Sequence, residues 1–342
     1  MMLNTTLPSQ LDESATRQQR ESNVTRYYVF NGDADGLCAL QQLRLVDPSE
    51  ATLVTGVKRD IALLERVPAS TGDHCTVLDV SLDVNRAGLV RVLAGGASVR
   101  YFDHHHAGDI PEGAHLEAYI DTSATVCTSL LVDRFLAGKQ RAWAITGAFG
   151  DSLTEVAAAL ADVERLSSDA TLRLKKLGVS LNYNAYGETI ADLHVPPALL
   201  AEEMLPFADP LEFEHASTTY HRLRTGYEDD MRQARELAPA HEAPGALVFL
   251  LPDMAWARRA SGVFANEIAR AHATSAIAIV SFKSSGDYLV SLRVPSGTSV
   301  GADEFCRRFP SGGGRKTAAG INDLPRAELD AFIREFETTF RT

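Results

Sequence analysis

Four segments in the first half of the chain place carboxylates and imidazoles at the ends of apolar runs. They are Asn31-Gly32-Asp33-Ala34-Asp35-Gly36, Val77-Leu78-Asp79-Val80, Phe102-Asp103-His104-His105-His106 and Gly147-Ala148-Phe149-Gly150-Asp151. Carboxylates packed together repel, and each raises its neighbours' pKa unless a cation neutralises them. Aspartates and imidazoles without thiolate therefore point to a bound divalent metal, and Mn²⁺, Mg²⁺, Fe²⁺ and Zn²⁺ all suit the donors. Two metals sharing a carboxylate, about 3.5–4 Å apart, would clamp an in-line phosphoryl displacement and generate the attacking hydroxide. Each segment also has a plainer reading. Asp-x-Asp-Gly after a strand makes a turn in which Asp caps the next helix and Gly allows positive φ. The histidine triplet reads equally as a solvated loop, and that reading is kept for His106. Asp79 resists it, because an unpaired charge is seldom buried in an apolar run. Four coincidences at element ends favour a site.

The elements that must position these groups show as apolar runs alternating with helical patterns. Strands are expected at 27–30, 51–57, 76–82, 97–102 and 116–120, with helices at 37–46, 61–67, 87–93 and 125–136. Such alternation implies βαβ units and a largely parallel sheet. In an open parallel sheet the carboxyl ends of the strands face one crevice, so distant segments can converge there. Asp151, after a run of small residues, is expected at another such strand end. From about 141 to 240 the pattern is helical, ending in a charged stretch closed by Pro and Gly, as a connector would be. A second α/β pattern follows, with strands at 246–251, 275–282 and 288–294 and helices at 257–273, 302–309 and 326–340. The expected organisation is a disordered polar tail over 1–25, a parallel-sheet α/β domain over 26–200, a helical connector over 201–244 and a smaller α/β domain over 245–342.

Composition bounds the partners. The 342 residues carry 33 Lys and Arg against 45 Asp and Glu, a formal charge of −12, with 45% hydrophobic residues. That is a folded chain of about two domains. Its acidity excludes a general binder of long duplex nucleic acid, whose affinity comes from Lys and Arg neutralising phosphates. Cys38, Cys75, Cys127 and Cys306 show neither a C-x-x-C pair nor zinc spacing, and read as small hydrophobes in a reducing cytoplasm. No signal peptide, anchor or membrane partner is expected.

A second chemical segment is Ser311-Gly312-Gly313-Gly314-Arg315-Lys316-Thr317-Ala318-Ala319-Gly320. Consecutive glycines let backbone N–H groups approach an anion, and Arg315 and Lys316 add charge-assisted hydrogen bonds. A flexible loop before a strand is the plainer reading.

The segments NGDADG, VLDVSL, FDHHHAG and GAFGD, in that order over about 26–151, resemble the four motifs of the DHH phosphoesterase superfamily. The resemblance implies that Asp33 and Asp79 hold a first metal. Asp35, Asp79, His104 and Asp151 would hold a second, with Asp79 bridging. It implies that His105 meets the scissile phosphoryl group and that Asp103 orients an imidazole. Asn31 stands where the superfamily usually has a His or Asp ligand to the first metal, and its amide brings no charge. The glycine run resembles the GGGH-x-x-A-A-G signature of the substrate-binding domain that accompanies many such enzymes, with Arg315 in place of His. Val290-Ser291-Leu292-Arg293 resembles that domain's V-S-x-R strand. By this resemblance Arg293, Gly312, Gly313, Gly314, Arg315 and Lys316 bind substrate phosphate.

The implied activity is that of a Mn²⁺-dependent phosphoesterase cleaving phosphodiester or phosphomonoester bonds of short nucleotides. Candidate substrates are oligoribonucleotides of a few residues, dinucleotides and pAp, in a layout close to nanoRNase/pAp phosphatases and exopolyphosphatase-like members. A phosphoanhydride hydrolase and a catalytically weakened nucleotide sensor are the alternatives. Tyr101, Phe149 and Tyr288 are candidate base platforms that read equally as core. A homodimer is left open.

Overall fold

The computed structural model describes residues 24–341, so all but the end of the expected 1–25 tail lies outside the described residues. Strand β1 (Arg26–Asn31) is apolar on both sides because both sides are covered. Tyr28 and Phe30 face one core, Tyr27 and Val29 another. Full burial of each such side chain contributes about 1.5–3 kcal/mol. Helix α1 (Ala34–Val46) follows, then β2 (Thr52–Gly56), a single 3₁₀ turn (Leu63–Arg66), β3 (His74–Leu78), α2 (Leu82–Ala94), β4 (Ser98–Asp103) and β5 (Leu116–Ile120). All pairings are parallel, and the five strands run in the order β2-β1-β3-β4-β5. The carboxyl ends of β1, β3 and β4 therefore open onto one edge.

Helices α3 (Thr128–Phe135), α4 (Arg141–Gly150), α5 (Thr154–Val163) and α6 (Ser168–Asn184) pack behind that sheet. Asp151 departs from expectation, since it caps the C-terminus of α4 and ends no strand. The small residues before it are not a flexible run; they let helices touch. A Cβ on Gly150 would lie 2.3 Å from the Ala34 side chain and 2.8 Å from the Gly178 carbonyl oxygen.

Helices α7 (Pro197–Met204), α8 (Pro210–Ala216) and α9 (Thr218–Arg235) lead onward. Leu200, Met204, Phe213, Tyr220 and Leu223 join the core beneath α1, while Met231 and Ala234 near the end of α9 join a core of the second sheet. That sheet contains β6 (His241–Ala243), β7 (Ala246–Leu250), β8 (Ala276–Phe282), β9 (Tyr288–Arg293), β10 (Gly312–Arg315) and β11 (Ala318–Leu324), in the order β10-β11-β9-β8-β7-β6. Only β7 and β8 pair in parallel, through the crossover helix α10 (Ala255–Ala271). Helix α11 (Ala302–Cys306) is shorter than expected. Helix α12 (Leu329–Phe340) sets Phe332, Phe336 and Phe340 at i, i+4 and i+8 against Phe305, at centroid distances of 5.4–5.9 Å. The glycine run forms strand β10 rather than a loop.

A charged latch joins the two units. Arg258 donates to both oxygens of Asp192 at 3.1 and 2.8 Å. Arg259 donates to Asp230 at 2.8 and 3.2 Å and to the Asp192 carbonyl oxygen, while the Tyr183 hydroxyl also donates to Asp230. Burial would push the Asp230 carboxyl up, but His194, Arg259 and Tyr183 hold it below the usual carboxylate range. A depressed folded pKa gives stability that is present above the unfolded value and lost as pH falls through the folded one. Asp230→Asn should therefore cost about 3 kcal/mol at neutral pH, because it leaves the Arg259 charge buried and unpaired. The difference from wild type should shrink below about pH 4, which denaturant unfolding at both pH values checks.

Candidate metal centre

The segment after β1 serves two ends at once. Asp33 caps α1, its Oδ1 accepting from the N–H groups of Asp35 and Gly36 at 3.0 and 3.1 Å, and its other oxygen meets the Lys58 ammonium. Gly36 has no positive φ, contrary to the turn reading. Glycine is required because a Cβ there would lie 2.1 Å from the Asn31 carbonyl oxygen. Asp35 points the other way, accepting from the N–H groups of Thr128 and Ser129 at 2.7 Å each. These are the first two residues of α3, so its positive end faces the carboxylate. Asp79, just beyond β3, sits at φ 60°, a left-handed conformation that Asp tolerates better than most residues. Its N–H donates to the Phe102 carbonyl oxygen at 3.0 Å, and its Oδ1 accepts from the Thr128 hydroxyl at 3.1 Å.

Asp103 ends β4 and is fully buried. Its Oδ1 accepts from the N–H groups of His104 and His105 and lies 2.7 Å from His105 Nδ1. His104 Nε2 stands at the centre, 3.3 Å from Asp79 and 3.9 Å from both Asp35 and Asp151. Two donor sets result, Asp35–His104–Asp151 and Asp79–His104–His105, each with its atoms within 4.8 Å of one another. Oxygen and imidazole donors at that spacing fit a divalent cation.

Electrostatics agree with the donor sets. Burial, then the charges of Asp35, Asp33 and Asp151, push the Asp79 carboxyl well above the usual range. Burial and Asp35 push Asp151 up to about 6. Burial works against charge on His105, but the Asp103 hydrogen bond and charge outweigh it and raise its pKa. Asp33 behaves oppositely, because the Lys58 ammonium outweighs burial and holds it low.

Asn31, Asp33, Asp79, His104, His105 and Asp151 line one cavity of about 880 Å³, with Asp35 and Asp103 buried behind them. Arg293 and Gly312 to Gly314 line a second, of about 500 Å³. Arg59, Tyr186 and Asn322 line both. Arg315 and Lys316 are exposed and line neither, because strand β10 carries them out to its turn with β11. His106 is exposed in its loop. Tyr101, Phe149 and Tyr288 are buried in cores and offer no base platform. Sequence reading missed Lys58, Arg59, Thr128, Ser129 and Tyr186. The first two carry a legible signal, since they follow the end of β2 as the aspartates follow β1 and β3.

Parallel strands opening onto a carboxylate–imidazole cluster, with a second sheet facing it, make a two-domain α/β fold. At the level of sequence, no family model and no curated protein matches the chain. Solved structures carry the likeness. The chain superposes on exonuclease RecJ bound to manganese with TM-score 0.61 and 19% identity, covering 97% of this chain and 94% of that one. A DHH domain from a member of a ribosomal-protein family gives 0.64 and 12%, with coverage of 98% and 93%. The pGpG-specific phosphodiesterase PggH from Vibrio cholerae gives 0.51 and 14%, with coverage of 92% and 99%. The chain has the DHH-superfamily fold.

A carboxyl whose folded pKa is raised loses stability as pH climbs above its unfolded value, so Asp79 is a liability at neutral pH without metal. Asp79→Asn keeps a residue type that tolerates left-handed backbone. In the absence of metal it should melt at or above the wild-type temperature. Wild type should gain about 2.7 kcal/mol when Mn²⁺ is present at about 100 times its Kd, and the variant should lose most of that gain. Thermal melts with chelator and with Mn²⁺ measure both effects.

Proposed function

We propose that the chain is a Mn²⁺-dependent phosphoesterase of the cytoplasm that hydrolyses short nucleotides such as dinucleotides, oligoribonucleotides of a few residues, or pAp. What carries this reading is the sharing of Arg59, Tyr186 and Asn322 between the cavity of the metal-ligand cluster and the cavity of the glycine strand. A substrate a few residues long can reach from one to the other. A long polyanion finds few cations on a chain of charge −12. The fold is shared with a manganese-bound exonuclease and with a pGpG-specific phosphodiesterase, which supports chemistry of this kind.

Asp35, Asp79, His104 and Asp151 would hold a divalent cation, which would supply charge neutralisation and Lewis-acid polarisation at a phosphoryl oxygen. The chain's own groups do the rest. Asp103 accepts from His105 Nδ1 and favours the imidazolium, whose Nε2–H donates to the reacting phosphoryl group or its leaving oxygen. Arg293 and the N–H groups of the glycine strand bind the remaining phosphate. Arg59 takes the positive role that the sequence alone assigned to Arg315 and Lys316. Tyr186 offers a ring for base stacking.

The full-length protein with Mn²⁺ should hydrolyse pGpG or pApA, and Asp79→Ala should abolish turnover. Asp103→Asn should lower activity by about 10–100-fold, as loss of an orienting partner does in metal sites. Tyr186→Ala should raise KM for a dinucleotide about tenfold, within the about 1–3 kcal/mol that stacking contributes. Steady-state kinetics across dinucleotides, pAp and polyphosphate check these statements. Turnover of polyphosphate alone, with no effect of Tyr186, would make the protein a phosphoanhydride hydrolase.

A further inference from the structure

We infer that Lys58 is a resident cation occupying one half of the metal centre, so that the chain holds one divalent ion per molecule and not two. This rests on the phosphoesterase reading and sharpens it. The cluster divides into two unlike halves. The two donor sets within 4.8 Å, Asp35–His104–Asp151 and Asp79–His104–His105, share His104. Its one Nε2 faces Asp35, Asp79 and Asp151 and can ligate one ion, and Asp33 belongs to neither set.

Both oxygens of Asp33 are engaged, Oδ1 by the first N–H groups of α1 and Oδ2 by the Lys58 ammonium. Lys58 is held at both ends. Its N–H donates to the Ala185 carbonyl oxygen at 2.9 Å, and its own carbonyl oxygen accepts from Asn31 Nδ2 at 3.3 Å. Its Nζ donates to Asn182 Oδ1 at 3.1 Å and lies 5.6 Å from the centre of the Tyr186 ring.

The charges are decisive. Asp33 and Lys58 cancel, and Asn31 offers a buried amide oxygen, unpartnered among the described residues, but no charge. The uncancelled charge at the locus is therefore that of Asp79, which the other half already uses. A divalent ion placed there would find both Asp33 oxygens taken and would have to displace the ammonium to gain a carboxylate of its own. Lys58 also lines the cavity with Asp79 and His105. Its ammonium therefore offers a hydrogen-bond donor to the phosphoryl group where a second ion would otherwise stand.

The test is metal content of the full chain. Equilibrium dialysis against Mn²⁺ in excess, followed by elemental analysis, should find one ion per chain in the wild type. Its electron paramagnetic resonance spectrum should be that of an isolated ion. Combining Lys58→Met with Asn31→Asp removes the ammonium and adds a carboxylate, and should bring the content to two, with the spectrum of an exchange-coupled pair. Two ions or a coupled pair in the wild type would overturn the inference while leaving the phosphoesterase reading intact. A folded double variant that still takes one ion would overturn the role of Lys58. No ion bound by the wild type would overturn both readings. The wild-type measurement decides the ion count even if the double variant does not fold.

Discussion

Carboxylates gathered in a buried crevice repel one another, and much of this structure is arranged around that repulsion. Burial and the neighbouring charges of Asp35 and Asp33 press Asp79 and Asp151 toward protonation. Each acid is answered differently. Asp35 lies at the positive end of α3, Asp33 meets the Lys58 ammonium, and Asp103 is spent on His105. Asp79 has the Thr128 hydroxyl and the neighbouring imidazoles but no ammonium or helix end of its own, in a left-handed conformation kept in place by its bond to Phe102. It is the group whose charge most needs a cation from outside the chain.

The sheet makes that concentration of charge possible. Five parallel strands direct the ends of β1, β3 and β4 to one edge, and the glycine contacts beneath α1 and α4 bring Asp151 to the same place from a helix end. The second sheet closes the other side. Arg258 and Arg259, both from α10, tie it to Asp192 and Asp230, and the shared lining of the two cavities follows from that docking. The overall charge of −12 then takes on a local meaning. Part of it is the buried carboxylate cluster, and the cations that line the two cavities are Lys58, Arg59, Arg258, Lys283 and Arg293.

Much of the metal centre was legible because strand ends in a parallel sheet share an edge. Asp33, Asp35, Asp79, Asp103 and the two histidines follow from that rule alone. Asp151 joins the cluster for a different reason, since helix packing, and not a strand, delivers it. Gly36 was read as a turn residue, whereas close approach to the Asn31 carbonyl oxygen requires it. Arg315 and Lys316 looked like the phosphate contacts because they adjoin the glycines. The antiparallel pairing of β10 with β11 carries them past the cavity, and Arg59 from the other domain lies there instead. Among the aromatics, burial removed Tyr101, Phe149 and Tyr288, whereas Tyr186 and Phe282 line the cavity.

By itself the sequence determined the alternating architecture, the donor types and their attachment to particular strand ends, because periodicity and residue chemistry are local properties. Only the tertiary structure decided which charges face one another. Whether Asp33 answers a metal or the ammonium of Lys58 depends on the approach of β2 to β1. Whether a surface arginine meets substrate depends on how α10 docks against α6 and α9. Pair interactions between residues distant in the chain fall off over a few ångströms, and only the packed chain specifies separations that small.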